Sequence, residues 1–221
     1  MLERISRREE ADLFLAWMAI SLSFAIIKIA PNGILGPIKS VDPMVALIYF
    51  GISLFTVGIG FILHEMAHKF TAIRYGYWAE FRKDNSMLLV AVALASLVGF
   101  VFAAPGATVI YSNSASGQGL SRKENGVISA SGPVVNLLLC IPFTVLAFLG
   151  SHGMGDLVNQ IGIFGIQINA MIAAFNLLPI SILDGRKVMA WSIPIFALLI
   201  LISFVILVVS FSNPSFFSFN K

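Results

Sequence analysis

Long apolar runs separated by short clusters of charge set the pattern of this chain. Five runs are long enough to cross a bilayer as helices: residues 11–30, 44–70, 126–150, 157–180 and 188–211. A sixth, 87–102, is shorter. It leads into Ala103-Ala104-Pro105-Gly106, a turn signal, and then into Ala107-Thr108-Val109-Ile110-Tyr111, whose β-branched residues predict a strand. The pattern predicts an all-α polytopic membrane protein with about five transmembrane helices plus a re-entrant helix/β-hairpin segment. Six transmembrane helices are the alternative.

Composition agrees. Of 221 residues, 58% are hydrophobic and 11% charged, and the mean hydropathy is +0.92, which argues against a soluble domain. The first run follows the charged MLERISRREEAD. It is too long for the apolar part of a secretion signal and lacks a small-residue cleavage site, so it is expected to stay as an anchor. Cys140 is the only cysteine, which excludes intramolecular disulfides and cysteine-rich metal clusters. The sequence pI is about 9.2, but the basic residues sit mainly beside apolar spans. They read as an orientation signal, with no nucleic-acid partner expected. No repeat, low-complexity tract or linker divides the chain, so residues 1–221 are expected to form one integral-membrane domain.

Against this background FILHEMAHKF, residues 61–70, is anomalous: two histidines, a glutamate and a lysine in an apolar helix. His64 and His68 are four apart, so on a helix both imidazoles lie on one face, one turn apart, able to bind one tetrahedral zinc. Glu65, on the adjoining face, can take a proton from the water a zinc activates. Ionisable side chains at membrane depth cost several kcal/mol unless paired or metal-bound, which favours the metal reading over a hydrogen-bonded histidine pair at an interface.

Catalytic zinc takes three protein ligands and keeps one position open. His152 lies in the loop SHGMGD and is expected to be solvated. Glu3, Glu9, Glu10 and Asp12 precede the first span, and Asp42, Glu80, Asp84, Glu124 and Asp156 lie in loops. That leaves Asp184, where an apolar span interrupted by Pro179 ends in Asp184-Gly185. Broken backbone at depth suits a wet cavity such as a zinc site, and a helix-capping aspartate at a turn is the equal alternative. Gly132 and Pro133 free a carbonyl and allow close helix approach, with simple packing as the other reading. Asn136 and Asn176 are polar groups at depth, fit for substrate backbone or oxyanion contacts or for helix–helix adhesion.

These segments resemble the site-2 protease family of intramembrane zinc metalloproteases. His64-Glu65-Met66-Ala67-His68 matches that family's HExxH. Asn176-Leu177-Leu178-Pro179 followed by Ile180-Ser181-Ile182-Leu183-Asp184-Gly185 matches its NxxPxxxxDG. Ser131-Gly132-Pro133-Val134-Val135-Asn136 is similar to its Gly-Pro element. The likeness runs over about residues 58–187 and implies one Zn2+ per chain held by His64, His68 and Asp184, with Glu65 as catalytic base. The core expected from it is about 44–187. It also implies cleavage of membrane-anchored protein substrates within or beside a transmembrane segment. A non-proteolytic zinc-binding membrane protein, a transporter or degenerate scaffold, is the alternative.

Ligands of one metal must meet at one depth. His64 lies toward the far end of a helix entering near Met44; calling that side the inside, Asp184 reaches it only if 87–102 enters and returns. Charge supports this. Re-entry puts eleven of fourteen basic residues inside (Arg4, Arg7, Arg8, Lys69, Arg74, Arg82, Lys83, Arg122, Lys123, Arg186 and Lys187), with Lys28, Lys39 and Lys221 outside. Six spans would split them eight to six. The inside is expected to be the cytoplasmic face of the cell membrane. A strand at Ala107, Thr108 and Val109 beside the site could then hold an extended substrate by β-addition.

Overall fold

The computed structural model describes residues 5–35, 42–101, 105–111, 119–180, 182–214 and 216. In chain order the elements are α1 (Arg7–Ile29), α2 (Pro43–Arg74), β1 (Trp78–Lys83), α3 (Asn85–Val98), β2 (Gly106–Tyr111), α4 (Arg122–Leu149), α5 (Asp156–Asn176), α6 (Asp184–Trp191) and α7 (Ile193–Ser212). Among the described residues five helices, α1, α2, α4, α5 and α7, are long and apolar enough to span a bilayer. Their outward faces carry large apolar side chains, such as Leu198, Leu201, Val205 and Val208 on α7. Such surfaces are stable in lipid and not in water. The chain is an integral membrane protein of all-α class with one small antiparallel sheet, as the sequence pattern predicts.

The chain forms two compact units, Met1–Ile62 with Ala79–Val109, and Leu63–Trp78 with Ile110–Lys221. In the first, Ser6 caps α1 by accepting from Glu9 N–H, and the Trp17 indole donates to Leu54 O at 2.8 Å. β1 pairs with β2. Phe81 is fully buried, edge-on to Phe61 with ring centroids 5.5 Å apart, and its N–H donates to Glu9 Oε1 at 3.0 Å. Arg82 pairs with Glu80 and lies 3.8 Å from Asp12. Two expectations are corrected here. Glu9 and Asp12 do not precede the first helix but are buried on it. The sequence also suggests one interfacial aromatic belt at Tyr75, Tyr77, Trp78 and Phe81 and another at Phe211, Phe216, Phe217 and Phe219, but Phe81 is a core residue of a strand. Tyr75, Trp78, Phe211 and Phe216 are exposed as a belt requires; Phe217 and Phe219 lie outside the described residues, as do Arg4, Lys39 and Lys221 of the charge count.

The sixth apolar run proves to be a short helix stopped at both ends. Asp84 caps α3 by accepting from the N–H groups of Ser86 and Met87, and Gly99 closes it at φ 69°, a conformation that favours glycine. A Cβ at Gly99 would also lie 1.9 Å from Pro31 O. Fourteen residues give about 21 Å of helix, short of the roughly 30 Å hydrocarbon core. The segment also ends where it began, because Asp84 N–H donates to Pro105 O at 2.8 Å and β2 then pairs with β1. A chain that leaves and returns to one point makes no net crossing, so the re-entrant expectation holds. Of the predicted turn, Ala103 and Ala104 lie outside the described residues, and the strand begins at Gly106.

In the second unit Ser121 and Glu124 form a capping box that starts α4, and a kink over Gly150–Met154, where His152 and Gly153 leave helical φ/ψ, leads into α5. His152 is exposed there and stacks on Phe148. The predicted last span divides in two. Ser192 is extended between α6 and α7, because Pro194 has no N–H to continue α6 and its fixed φ suits the first turn of a new helix. Ala130, Leu177, Val188 and Leu199 form the core that joins α4, α6 and α7.

Candidate metal centre

Continuous helix through residues 61–70 puts His64 and His68 on one face of α2, buried, with ring centroids 4.6 Å apart and nearly perpendicular. Asp184 reaches them from the first residue of α6 and is buried with them. It is not a cap: Leu183 holds the N-cap position and makes no side-chain cap bond. Asp184 Oδ2 lies 3.5 Å from His64 Nε2 and 3.1 Å from His68 Nε2, and the two Nε2 atoms are 3.0 Å apart.

These distances fit a metal. Donors about 2.0–2.1 Å from a tetrahedral zinc sit about 3.3 Å from one another, and all three atoms here fall within 4.8 Å of one another. Their protonation argues the same way. His68 Nδ1 lies 2.7 Å from Ile128 O, a carbonyl that can only accept, so the proton is on Nδ1. His64 Nδ1 lies 2.6 Å from Asn136 Oδ1 and donates to it. In the neutral tautomers this leaves, both Nε2 lone pairs face each other and a carboxylate oxygen. Three acceptors packed together repel unless a cation joins them, and imidazole held by an outer acceptor at its other nitrogen is how metal-ligating histidine is oriented.

α4 supplies this outer layer. Pro133 has no N–H to bond Ser129 O; the adjacent Ile128 carbonyl meets His68, and Ser131 Oγ donates to the same carbonyl at 2.7 Å. Gly132 lets the helix come close, since a Cβ there would lie 2.5 Å from His68 Nε2 and 2.7 Å from His64 Cε1. Packing and metal support are therefore one role at this position. Glu65 is buried beside the histidines.

Other candidates make contacts of their own. Asn176 ends α5, half-buried, and its Nδ2 donates to Ile172 O of its own helix. Pro179 is exposed in the break before α6. Gly185 is buried where a Cβ would lie 2.0 Å from Leu177 O, which holds α6 against the end of α5. Ala107, Thr108 and Val109 are on β2, in the first unit. Ser181, between the two halves of the second motif, lies outside the described residues. Glu124 is no ligand: its Oε2 accepts from Tyr77 Oη at 3.0 Å and from Ser121 N–H. The Ile128 carbonyl was invisible to residue-type reasoning, because any residue carries one.

Fold and site thus define a polytopic membrane protein in which two histidines of an HExxH helix and one carboxylate of α6 form a group that could hold a metal ion. Comparison with known proteins gives the family. The chain is 37% identical over 189 residues to "Putative zinc metalloprotease MJ0611" of Methanocaldococcus jannaschii, covering 86% of this chain and 87% of that one. It is 29% identical over 154 residues to "Putative zinc metalloprotease YwhC" of Bacillus subtilis, covering 63% and 68%. No protein-family model and no solved structure matches. The chain belongs to the zinc metalloprotease family of the archaeal relative, and its cofactor is zinc.

Proposed function

We propose that this zinc metalloprotease works inside the membrane, as a site-2-type protease that cuts membrane-anchored proteins within or beside a transmembrane segment. The observation that carries the reading is the convergence of three buried metal-ligand atoms on a helix long and apolar enough to span the bilayer. His64, His68 and Asp184 hold the zinc. When bound, zinc supplies Lewis acidity that makes water a nucleophile at neutral pH and polarises the scissile carbonyl. Glu65 takes the proton of the attacking water on a carboxylate oxygen and passes it to the leaving amine. Ile128 O and Asn136 keep each imidazole turned with Nε2 to the metal, so Asn136 serves the ligand and not the oxyanion.

The substrate is held as a strand. A peptide bond in a helix is shielded by its own hydrogen bonds, and β-addition exposes it. In the sheet the Phe81 N–H on β1 is already taken by Glu9, so β2, with Ala107, Thr108 and Val109, is the edge on which addition is proposed. Asn176 and Pro179 shape the break that admits water beside Asp184, the site opening toward the cytoplasmic side of the cell membrane. The whole chain acts as one catalytic domain.

The test is a pair of reporters sharing one cleavable sequence, one with a transmembrane segment and one without, incubated with the purified protein in liposomes. Zinc-dependent cleavage of the anchored reporter, mapped by mass spectrometry to or beside its membrane segment, supports the proposal. Equal cleavage of both reporters leaves a zinc metalloprotease but removes the intramembrane reading.

A further inference from the structure

His68 takes its tautomer directly from a backbone carbonyl, but His64 does not. Its partner is an amide, and an amide has two ends. Asn136 could turn its NH2 group to His64 and leave the proton on Nε2, where it would block the metal. What prevents this lies one residue further on. Asn136 Nδ2 donates to Asn169 Oδ1 at 2.8 Å, and Asn169 Nδ2 donates to Gly165 O at 2.9 Å. Asn136 and Asn169 are both fully buried.

The direction of the chain is set at its far end. Gly165 O can only accept, so Asn169 must turn its NH2 to it. Its Oδ1 then faces Asn136, which must turn its own NH2 there and its Oδ1 to His64. His64 is left to donate from Nδ1, with the Nε2 lone pair toward Asp184 and His68. Gly165 also makes the contact possible, because a Cβ there would lie 2.1 Å from Phe143 Cδ1 and hold α5 away from α4.

We infer that Asn169 is a positioning residue for the metal centre: acting through Asn136, it fixes His64 in its coordinating tautomer. The inference rests on the reading of His64, His68 and Asp184 as zinc ligands. A buried amide pair also serves simply to bind helices together in a membrane, and the two roles separate experimentally. Leucine at 169 keeps the branched four-atom outline but removes the acceptor that holds the Asn136 NH2. Aspartic acid, protonated when buried, keeps a carbonyl toward Asn136 and an O–H donor toward Gly165.

The experiment measures zinc affinity of the full chain in detergent, by competition with a chromophoric chelator, for wild type, Asn169→Leu, Asn169→Asp and His64→Ala, with thermal unfolding of each metal-free protein alongside. Asn169→Leu is expected to bind zinc about tenfold or more weakly, Asn169→Asp as wild type, with the metal-free unfolding temperatures alike. Should the leucine variant not fold, Asn169→Ala takes its place. Wild-type affinity in Asn169→Leu, or equal weakening by leucine and aspartate, overturns the relay. Zinc retained in His64→Ala overturns the metal centre itself, so the two failures are distinct.

Discussion

The two buried clusters of ionisable groups in this chain obey opposite rules. Around Glu9, Asp12, Glu80 and Arg82 the acids face donors the chain itself supplies: the guanidinium of Arg82 and the N–H of Phe81. Around His64, His68 and Asp184 the Nδ1 donors point outward, to Ile128 O and Asn136, and two Nε2 atoms and a carboxylate oxygen meet in the middle. The first cluster is a clamp that fastens α1 to β1. The second is incomplete without a cation. Burial of charge is common to both, so burial does not mark a site; three ligand atoms within 4.8 Å of one another do.

The contrast can be broken in several places. The largest effect belongs to Glu65, the proposed base: Glu65→Gln should lower peptidase activity about 10²–10⁴-fold with zinc content unchanged. Loss of zinc with that change would make Glu65 a ligand or a support. Next, Asn136→Leu should weaken zinc binding about 10–100-fold, read by chelator competition. Gly132→Ala should follow at about tenfold, since overpacking of this kind costs about 1–3 kcal/mol and here falls on His68.

In the clamp the outcome inverts. Glu9→Ala orphans the buried Phe81 N–H and should cost about 1–3 kcal/mol of stability, measured by thermal unfolding, with zinc content as in wild type. Zinc lost along with stability would show that the clusters are not independent.

The smallest effect lies outside the membrane helices. The Tyr77 phenol is held above its ordinary range by its hydrogen bond to the Glu124 carboxylate, with burial a lesser cause. A raised folded-state pKa means the bond stabilises fully below the phenol's ordinary value of about 10 and is lost as pH rises through the folded value. Ultraviolet titration should show one phenol ionising late, absent in Tyr77→Phe.

How much of this was legible follows from distance along the chain. His64, Glu65 and His68 are a local pattern whose geometry is fixed by helix periodicity alone. The return of 87–102 was legible because charge and ligand depth both demanded it, although the caps that enforce it, Asp84 and Gly99, went unread. Asp184 emerged only by elimination and resemblance, since its aim depends on tertiary packing across the break at Pro179. β1 was missed because its aromatic residues suit an interface as well as a strand, and Phe81 is buried through tertiary contacts, among them Glu9 on α1, Phe61 on α2 and Gly106 on β2. Glu9 and Asp12 lay three apart after the capping Ser6, a helical signal masked by the charge around them. Asn169 carried a signal too, a polar amide inside the run 157–180, but nothing in the sequence says which amide an amide faces.

The account turns on Asp184 sharing one metal with the HExxH helix, and elemental analysis of purified wild type, His64→Ala and Asp184→Ala tests it most directly. About one zinc per chain in wild type, lost in both variants, is the predicted result. Full zinc in Asp184→Ala would contradict it, and the third ligand would have to be sought elsewhere.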